Sequence, residues 1–599
     1  MPNISISIDG QVIVVPGVYT STQVTPAVPS GSLPTGPLVF LAAGYGGMPF
    51  TPIECTSNID LQNAMRGSPS TSFIEFMFNP SSEVNGTSLV TYINVAPNTQ
   101  SSASLVSSGN TAVINMLSVD YGTPSNLLEY SISAGSSFGV AMTIVDNYSG
   151  AAYTANNLGV PCQLSYTGAA SGVTYTVQST ITGQATKLVV SSPNPGESLT
   201  LDLTSPTFSN VSNVVQYLNG TGYYSCLMFG NGLLPSSYLD ITGAIALPKP
   251  VATVNQYVNV TATLGDIVNF INTIAASTAT ANIATGIQSN PGYIPIFIGQ
   301  QFFSGGTNGV PSLANYASGF NVALNTQAWA IIADTNSAGV QALGAQHAAT
   351  ASSVLQAKWR RFVTGSALSE SATTAQTNAR SINELMVTYC WPGIWETNTT
   401  TGLNQVYDGN HVAAAVAGIM TGNSVPTPLT NKTLLGNGVE QMTSLGTLSQ
   451  LQNNGVLVLN YPISTRIPTL LSDVTTWQND SNPANVFNQQ VACRFALNYY
   501  IVNQLQPYVG TIASNYDTTV VANAVKTLLN QLIYNGQSSI GILNSWDPNS
   551  LIIAYDGTTQ TLSVAVNVVF VGQNLFISVT VTVNPLTISL NSQGVITNG

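Results

Sequence analysis

The sequence predicts a multidomain protein of the α/β plus β class, and three observations predict it. At 599 residues the chain has room for about four domains. Residues 100–245 form a succession of short β-branched or alternating segments parted by Gly, Asn and Pro, whereas beyond Leu247-Pro248 apolar strands alternate with helical patterns. Both ends carry strand-like runs that nothing nearby in the sequence is placed to pair with.

Residues 1–22 read as an arm. Ile4, Ile6 and Ile8 alternate with Ser5, Ser7 and Asp9, and a second β-branched run that includes Val12 and Val14 precedes Pro16-Gly17. These are strands without a local partner. Residues 23–37, with Pro26, Pro29, Gly31 and Pro34, have linker composition. Residues 38–99 read as a small mixed unit: a strand over 38–42, Gly-rich turns at 44–47, a short helix over 59–65 and a strand over 89–95.

Strands over 128–133, 140–145, 173–177, 188–191 and 199–203, evenly parted by turn residues, predict a β-sandwich across 100–245. From 246 to 424 the rhythm is strand (293–298), helix (313–324), strand (328–333), helix (338–356), helix (374–385), strand (386–389) and helix (411–420). That is the βαβ pattern of a mainly parallel sheet sandwiched by helices. After a Pro-containing linker at 425–429 comes an α+β unit to residue 573, with a strand over 456–459 and helices over 491–505 and 518–533. In the last helix Val521, Val525, Leu528, Leu529 and Leu532 share a face, Asp517 stands at the N-cap position, and Asn535-Gly536 supply the stop. Strands over 562–570 and 575–583 follow, the second belonging to a C-terminal arm over 574–599.

Composition excludes several functions. Charged residues make up 6% of the chain, against about 25% in a typical soluble protein. Eleven Lys and Arg, with a net charge of −12, cannot line an extended nucleic-acid groove or a polybasic membrane anchor. Apolar residues reach 44% and mean hydropathy is +0.23, the opposite of a disordered chain, so the sequence is built to bury surface. No window approaches a membrane span, and the opening MPNISISIDG has neither a basic leader nor an apolar signal core, so neither membrane insertion nor secretion is expected. Cys55, Cys162, Cys226, Cys390 and Cys493 are an odd set without paired spacing and read as buried small hydrophobes. His347 and His411 have no companion at ligand spacing, so no metal and no cofactor is expected.

Candidate chemistry is thin. Asp334, His347 and later serines repeat the Asp, His, Ser chain order of a subtilisin-type protease, but His347 lies mid-helix and no nucleophile turn follows. Asp473 with Asp480, and Glu370 with Glu384, lack the surroundings of a sugar cleft. The SGGTNG loop at 304–309 lacks the Lys-Ser/Thr of a phosphate-binding loop and reads as a turn. Lys358, Arg360 and Arg361 cluster around Trp359; the bland reading is a solvated face or a helix C-terminus, the sharper one an interface cluster. Nothing here argues for an enzyme.

Five segments carry a resemblance. VPGVYT (15–20) with PTGPLVFLAAGYGG (34–47) and TPIECTSNIDLQNAM (51–65), SGGTNGVPSLANYASGFNVALNTQAWAIIAD (304–334) and GNHVAAAVAGIMT (409–421) resemble, in the same order, segments of the contractile tail sheath proteins of bacteriophages. The resemblance implies a parallel α/β core of subtilisin-like topology without protease activity, an inserted outward β domain, a C-terminal domain facing an inner tube, and terminal arms that exchange strands with neighbours. It implies exchange through Ile4, Ile6, Ile8, Val12, Val14, Leu575, Ile577, Val579 and Val581, with Pro26, Pro29, Gly31 and Pro34 as hinge.

The partners implied are further copies in hexameric rings and a helical lattice, the tail tube protein, and baseplate and terminator proteins. The location implied is the virion tail, after assembly in the host cytoplasm. This chain departs from the resemblance in its low charge, which leaves Arg466, Arg494 and Lys526 as candidate tube contacts. The rival reading is a non-catalytic β-rich surface or capsid-like protein, and a hydrolase comes third.

Overall fold

The computed structural model describes residues 6–8, 11–13, 36–181, 184–250, 256–397, 402–462, 465–510, 515–535, 541–573, 575, 588–590 and 596–598. Its centre is an eight-stranded sheet in the spatial order Thr469–Leu470, Val456–Asn460, Val387–Trp391, Arg361–Gly365, Ala330–Ala333, Leu38–Ala42, Val90–Asn94 and Pro52–Cys55. The six inner strands run parallel and the two outermost antiparallel. Runs such as LVFLA and AIIA are buried throughout, as strands covered on both faces require.

Alternation then sorts the two layers. Leu38 and Phe40 point to one side, into a core with the helix Gly409–Gly422; Val39 and Leu41 point to the other, against Tyr316 and Phe320 of the helix Leu313–Ala323. The helix Gly409–Gly422 is apolar almost all round and buried, which suits its Ala-rich sequence. Its small residues let backbones meet. A Cβ at Gly422 would stand 1.8 Å from the Gly86 carbonyl oxygen, and one at Gly418 2.3 Å from that of Met77.

Two β lobes are nested between the strand Val90–Asn94 and the helix Leu313–Ala323. In the first, the sheet of Gln100–Val106, Ala112–Tyr121 and Ala279–Ile283 and the sheet of Leu128–Ala134, Val140–Asp146, Ala151–Leu158 and Ile298–Phe302 close on the helix Thr263–Thr273. The second lobe starts from Gly159 and returns at Ala262, whose N–H donates to the Gly159 carbonyl at 2.9 Å. Its seven strands form two sheets around the helix Val211–Gly220.

Several expected boundaries move. The β-rich unit does not end at residue 245, because Val258–Val260, Ala279–Ile283 and Ile298–Phe302 all pair antiparallel within the lobes. The strand expected over 293–298 therefore belongs to a lobe and not to the α/β rhythm; Leu247-Pro248 marks only the departure from one of the second lobe's two sheets, before Val258–Val260 joins the other. The boundary at 425 also shifts, since Val456–Asn460 lies parallel to Val387–Trp391 in the central sheet. The irregular stretch between the helix Gly409–Gly422 and the helix Leu445–Asn453 hides that crossover from sequence reading.

The last unit packs the helices Asn488–Leu505 and Asn515–Gln531 against two ladders, Leu543–Trp546 with Val568–Phe570 and Ile552–Asp556 with Thr561–Ala565. The face of Val521, Val525, Leu528, Leu529 and Leu532 is buried as expected. Asp517 sits inside the first turn and not at the cap. The strand expected over 562–570 is two strands on different ladders.

The terminal segments differ from expectation in one respect. Ile6–Ile8 has a local partner: it pairs antiparallel with Gln11–Ile13, Ile6 opposite Ile13 and Ser7 opposite Val12. At the other end Ile588–Leu590 pairs with Ile596–Asn598. The strand expected over 575–583 lies, beyond Leu575, outside the described residues. No helix among the described residues is long and apolar enough to cross a membrane.

Candidate functional site

The expected function lives at edges, so the candidate site is built from strands that end a sheet. Of the expected exchange residues, Ile6, Ile8 and Val12 lie in the N-terminal hairpin and Leu575 is exposed, while Ile4, Val14, Ile577, Val579 and Val581 lie outside the described residues. The expected hinge residues Pro26, Pro29, Gly31 and Pro34 lie outside them too. A two-stranded ladder stands alone only marginally in water. The two ladders of the C-terminal unit avoid this by packing Leu543, Phe570, Ile553 and Leu562 on the helices. The ladder Ile552–Asp556 with Thr561–Ala565 still has two outer edges that pair with no further strand among the described residues, whereas in the other ladder Leu543 is already bonded to Leu532 and Tyr534.

The expected tube contacts are unlike one another. Lys526 is exposed on the helix Asn515–Gln531, and Arg466 is exposed in a turn with φ of 55°. Arg494 is half-buried on the helix Asn488–Leu505, its Nη1 3.5 Å from Asn485 Oδ1, and its charge also acts on Glu384.

The cluster at 358–361 is neither solvated nor an outward interface. Arg360 and Arg361 are buried. Lys358 Nζ donates to the Leu324 carbonyl at 2.8 Å, and Arg360 donates to those of Ala323 at 2.7 Å and Thr326 at 3.0 Å. Two of its cations thus cap the C-terminal end of the helix Leu313–Ala323, a helix distant in sequence. Burial pushes the Arg360 guanidinium down to about 10. Arg361 and Asp473 line a cavity of about 10 Å³ beneath the helix Asn488–Leu505. Burial pushes Asp473 up to about 6, against the opposing pull of the Gln489 N–H and of Arg361.

The weighed catalytic pairs are not sites. Asp334 accepts from Ala43 N–H at 2.7 Å, Ser70 Oγ at 2.6 Å and Tyr316 O–H at 2.5 Å, tying three elements together. Burial raises its pKa. His347 packs against Phe320, and burial, with Arg360 nearby, pushes it down to about 3. Asp473 accepts from Gln489 N–H while Asp480 serves Asn482 and Asn485. Glu370 takes the Tyr389 hydroxyl, and Glu384 takes its own turn's Met386 N–H. The SGGTNG loop is a pinned turn, with Gly306 N–H on Asn126 and Gly309 N–H on Asn98. All five cysteines are free and buried. Among the described residues no three His, Cys, Asp or Glu side chains gather as a metal site.

Two constellations escaped sequence reading. Arg66 bridges Asp120 and Asp146 across the joint between core and first lobe. Ser72 Oγ lies 2.9 Å from His411 Nε2, and His411 Nδ1 lies 2.7 Å from Asp408 Oδ1. Asp408 is the N-cap of the helix Gly409–Gly422, and the Asp-x-x-His spacing was the available signal. Nothing in the sequence points from His411 to Ser72, which reaches it only through the fold.

No protein-family model matches the chain. A tail sheath protein of Bacillus phage SP01 is 23% identical over 551 residues, covering 88% of this chain and 89% of that one. The solved structure of a sheath tail protein from Listeria innocua superposes with a TM-score of 0.53 at 10% identity, covering 90% of this chain and 93% of its own. That of a sheath tail protein from Desulfitobacterium hafniense gives 0.49 at 11% identity over the same shares. The chain is similar to phage tail sheath proteins along most of its length, and its mixed α/β multidomain fold is similar to theirs.

Proposed function

We propose that this chain is the structural subunit of a contractile tail sheath. Copies polymerise as a helical stack of hexameric rings around an inner tail tube, and the stack shortens to drive the tube through the host envelope. The observation that carries the reading is the end-to-end match to a tail sheath protein, 88% of one chain on 89% of the other. On this reading the central domain has subtilisin-like topology without protease activity, the β lobes face outward, and the C-terminal unit faces the tube. The sheath is part of the virion, assembled in the host cytoplasm, with tube, baseplate and terminator proteins as partners.

The arms join neighbours by completing their sheets. An added strand satisfies the unpaired N–H and C=O groups of an open edge, and its side chains fix the register. A nine-residue arm strand forms about nine hydrogen bonds of roughly 0.5–1.5 kcal/mol each, less the entropy of ordering it. On this reading terminal strands are the donors, and the outer edges of the ladder Ile552–Asp556 with Thr561–Ala565 support a receiving role for the C-terminal unit. Because every copy donates and accepts, the contact does not close on itself and builds a lattice. Contraction needs no nucleotide if the shortened lattice buries more apolar area than the extended one.

Electron microscopy of the purified chain tests this: hollow tubules or six-fold rings are expected, and closed shells or persistent monomers would overturn it. Deleting residues 1–22 is expected to leave a folded monomer that no longer polymerises.

A further inference from the structure

Beyond assembly, and independently of it, we propose that Ser72 is an activated nucleophile, with His411 as its base and Asp408 as the positioning residue, that takes acyl groups from small neutral or cationic esters. The geometry is that of a nucleophile, a base within hydrogen-bond reach, and a third group orienting the base. Ser72 Oγ is 2.9 Å from His411 Nε2 and His411 Nδ1 is 2.7 Å from Asp408 Oδ1. The carboxylate is itself fixed, because Asn336 Nδ2 donates to Asp408 Oδ2 at 2.9 Å. In the tautomer that donates Nδ1–H to Asp408, Nε2 is an acceptor for the Ser72 hydroxyl, which also has the Pro69 carbonyl at 3.0 Å.

The imidazole is held from its other sides by rings. Phe73 stacks on it at 3.8 Å, and Tyr407 and Phe76 lie at 4.8 Å and 5.4 Å. Ser72 is only half-buried and lines a cavity of about 690 Å³, large enough for a small ligand. Gln62, Gln405, the aromatic residues Tyr148, Phe76 and Tyr407, and the acidic residues Glu75 and Glu396 line the same cavity. Those carboxylates disfavour an anionic substrate. The chain order Ser, Asp, His also differs from the Asp, His, Ser order weighed for residue 334 onward, so this constellation is a separate one.

In the reaction a bond forms between Ser72 Oγ and the acyl carbon while the hydroxyl proton passes to His411 Nε2. The C–O bond to the leaving group then breaks, and the departing alkoxide takes that proton from His411 and leaves as an alcohol. Water, deprotonated by the same imidazole, releases the carboxylic acid and restores Ser72.

The test is labelling of the full chain with a fluorescent alkyl fluorophosphonate, in which an Oγ–P bond replaces the P–F bond and fluoride leaves. The expected result is one label per chain, mapped to Ser72 by mass spectrometry and absent from Ser72→Ala. Asp408→Asn keeps an N-cap residue on the helix but loses the carboxylate that selects the Nδ1–H tautomer, and is expected to label at least about 100-fold more slowly. Labelling no faster than a surface serine, labelling elsewhere than Ser72, or a Ser72 rate that Asp408→Asn leaves unchanged would each overturn the proposal. The mapping and the comparison with surface serines use the unmodified chain, so they stand even where a variant fails to fold.

Discussion

Arg66 Nε lies 2.6 Å from Asp120 Oδ2, and this pair joins the core to the first β lobe. Arg66 follows the helix Asn58–Met65 in left-handed conformation with φ of 52°, which swings its side chain toward the lobe. Its Nη1 reaches Asp146 Oδ2 at 2.9 Å, its guanidinium lies over Tyr148, and Asp120 Oδ1 accepts the Gly47 N–H at 2.6 Å. Arg66→Ala would leave two carboxylates facing each other at a part-buried joint, at a cost of about 1–3 kcal/mol. Faster hydrogen exchange at the joint, with the lobe interiors unchanged, is the expected reading.

The same joint weakens in acid. Burial works to raise the Asp146 pKa, but the Ser149 hydroxyl and Arg66 outweigh it and hold it below the ordinary carboxylate value. A carboxylate lowered on folding contributes stability above its unfolded pKa, and that contribution fades as pH falls through the folded one. Protease sensitivity at the joint should therefore rise below about pH 4, and Arg66→Ala should flatten that rise.

Asp473 acts with the opposite sign in a different window. Its folded pKa of about 6 lies above the unfolded carboxylate value, so protonation favours the folded state. Stability should increase by roughly 2–3 kcal/mol as pH is lowered from about 7.5 to 4.5. Asp473→Asn should remove that slope in urea melts monitored at the core.

Arg360→Ala takes the donors from the Ala323 and Thr326 carbonyls and empties a buried site. A loss of about 2–4 kcal/mol is expected, readable as a Tm several degrees lower. Arg360→Lys should recover little of it, since an ammonium cannot reproduce the planar fork.

Lys526 is the cleaner test of attachment to the tube. It is exposed, whereas Arg494 is half-buried beside Asn485. Lys526→Glu should leave Tm unchanged and reduce co-sedimentation with tube protein, while Arg494→Ala should lower Tm as well. Unchanged co-sedimentation for Lys526→Glu would remove that residue from the contact.

Where a single element carries its own pattern, the sequence was readable. Leu38–Ala42 and the buried face of Val521, Val525 and Leu528 follow directly from apolar runs and helical spacing. Nesting was not legible, because the partners of Ile298–Phe302 and Val456–Asn460 lie far away in sequence and no local signal names them. The 358–361 cluster misled for a related reason. Cations read as solvated unless the carbonyls they meet are known, and those belong to residues more than thirty positions earlier. The candidate site divides in the same way. The expectation of arm strands rests on local alternation, whereas Ser72 meets His411 across a sequence separation of 339.

Thr99 donates to the Thr307 carbonyl at 3.0 Å, just as Ala262 does to that of Gly159 at 2.9 Å, so each lobe leaves and re-enters through a pair of chain segments lying side by side. Such paired stems make natural graft points: material beyond either one can be shortened, duplicated or exchanged for foreign sequence without altering the order in which the central strands are laid down. The lobes can therefore vary in size and sequence while the central sheet keeps its strand order.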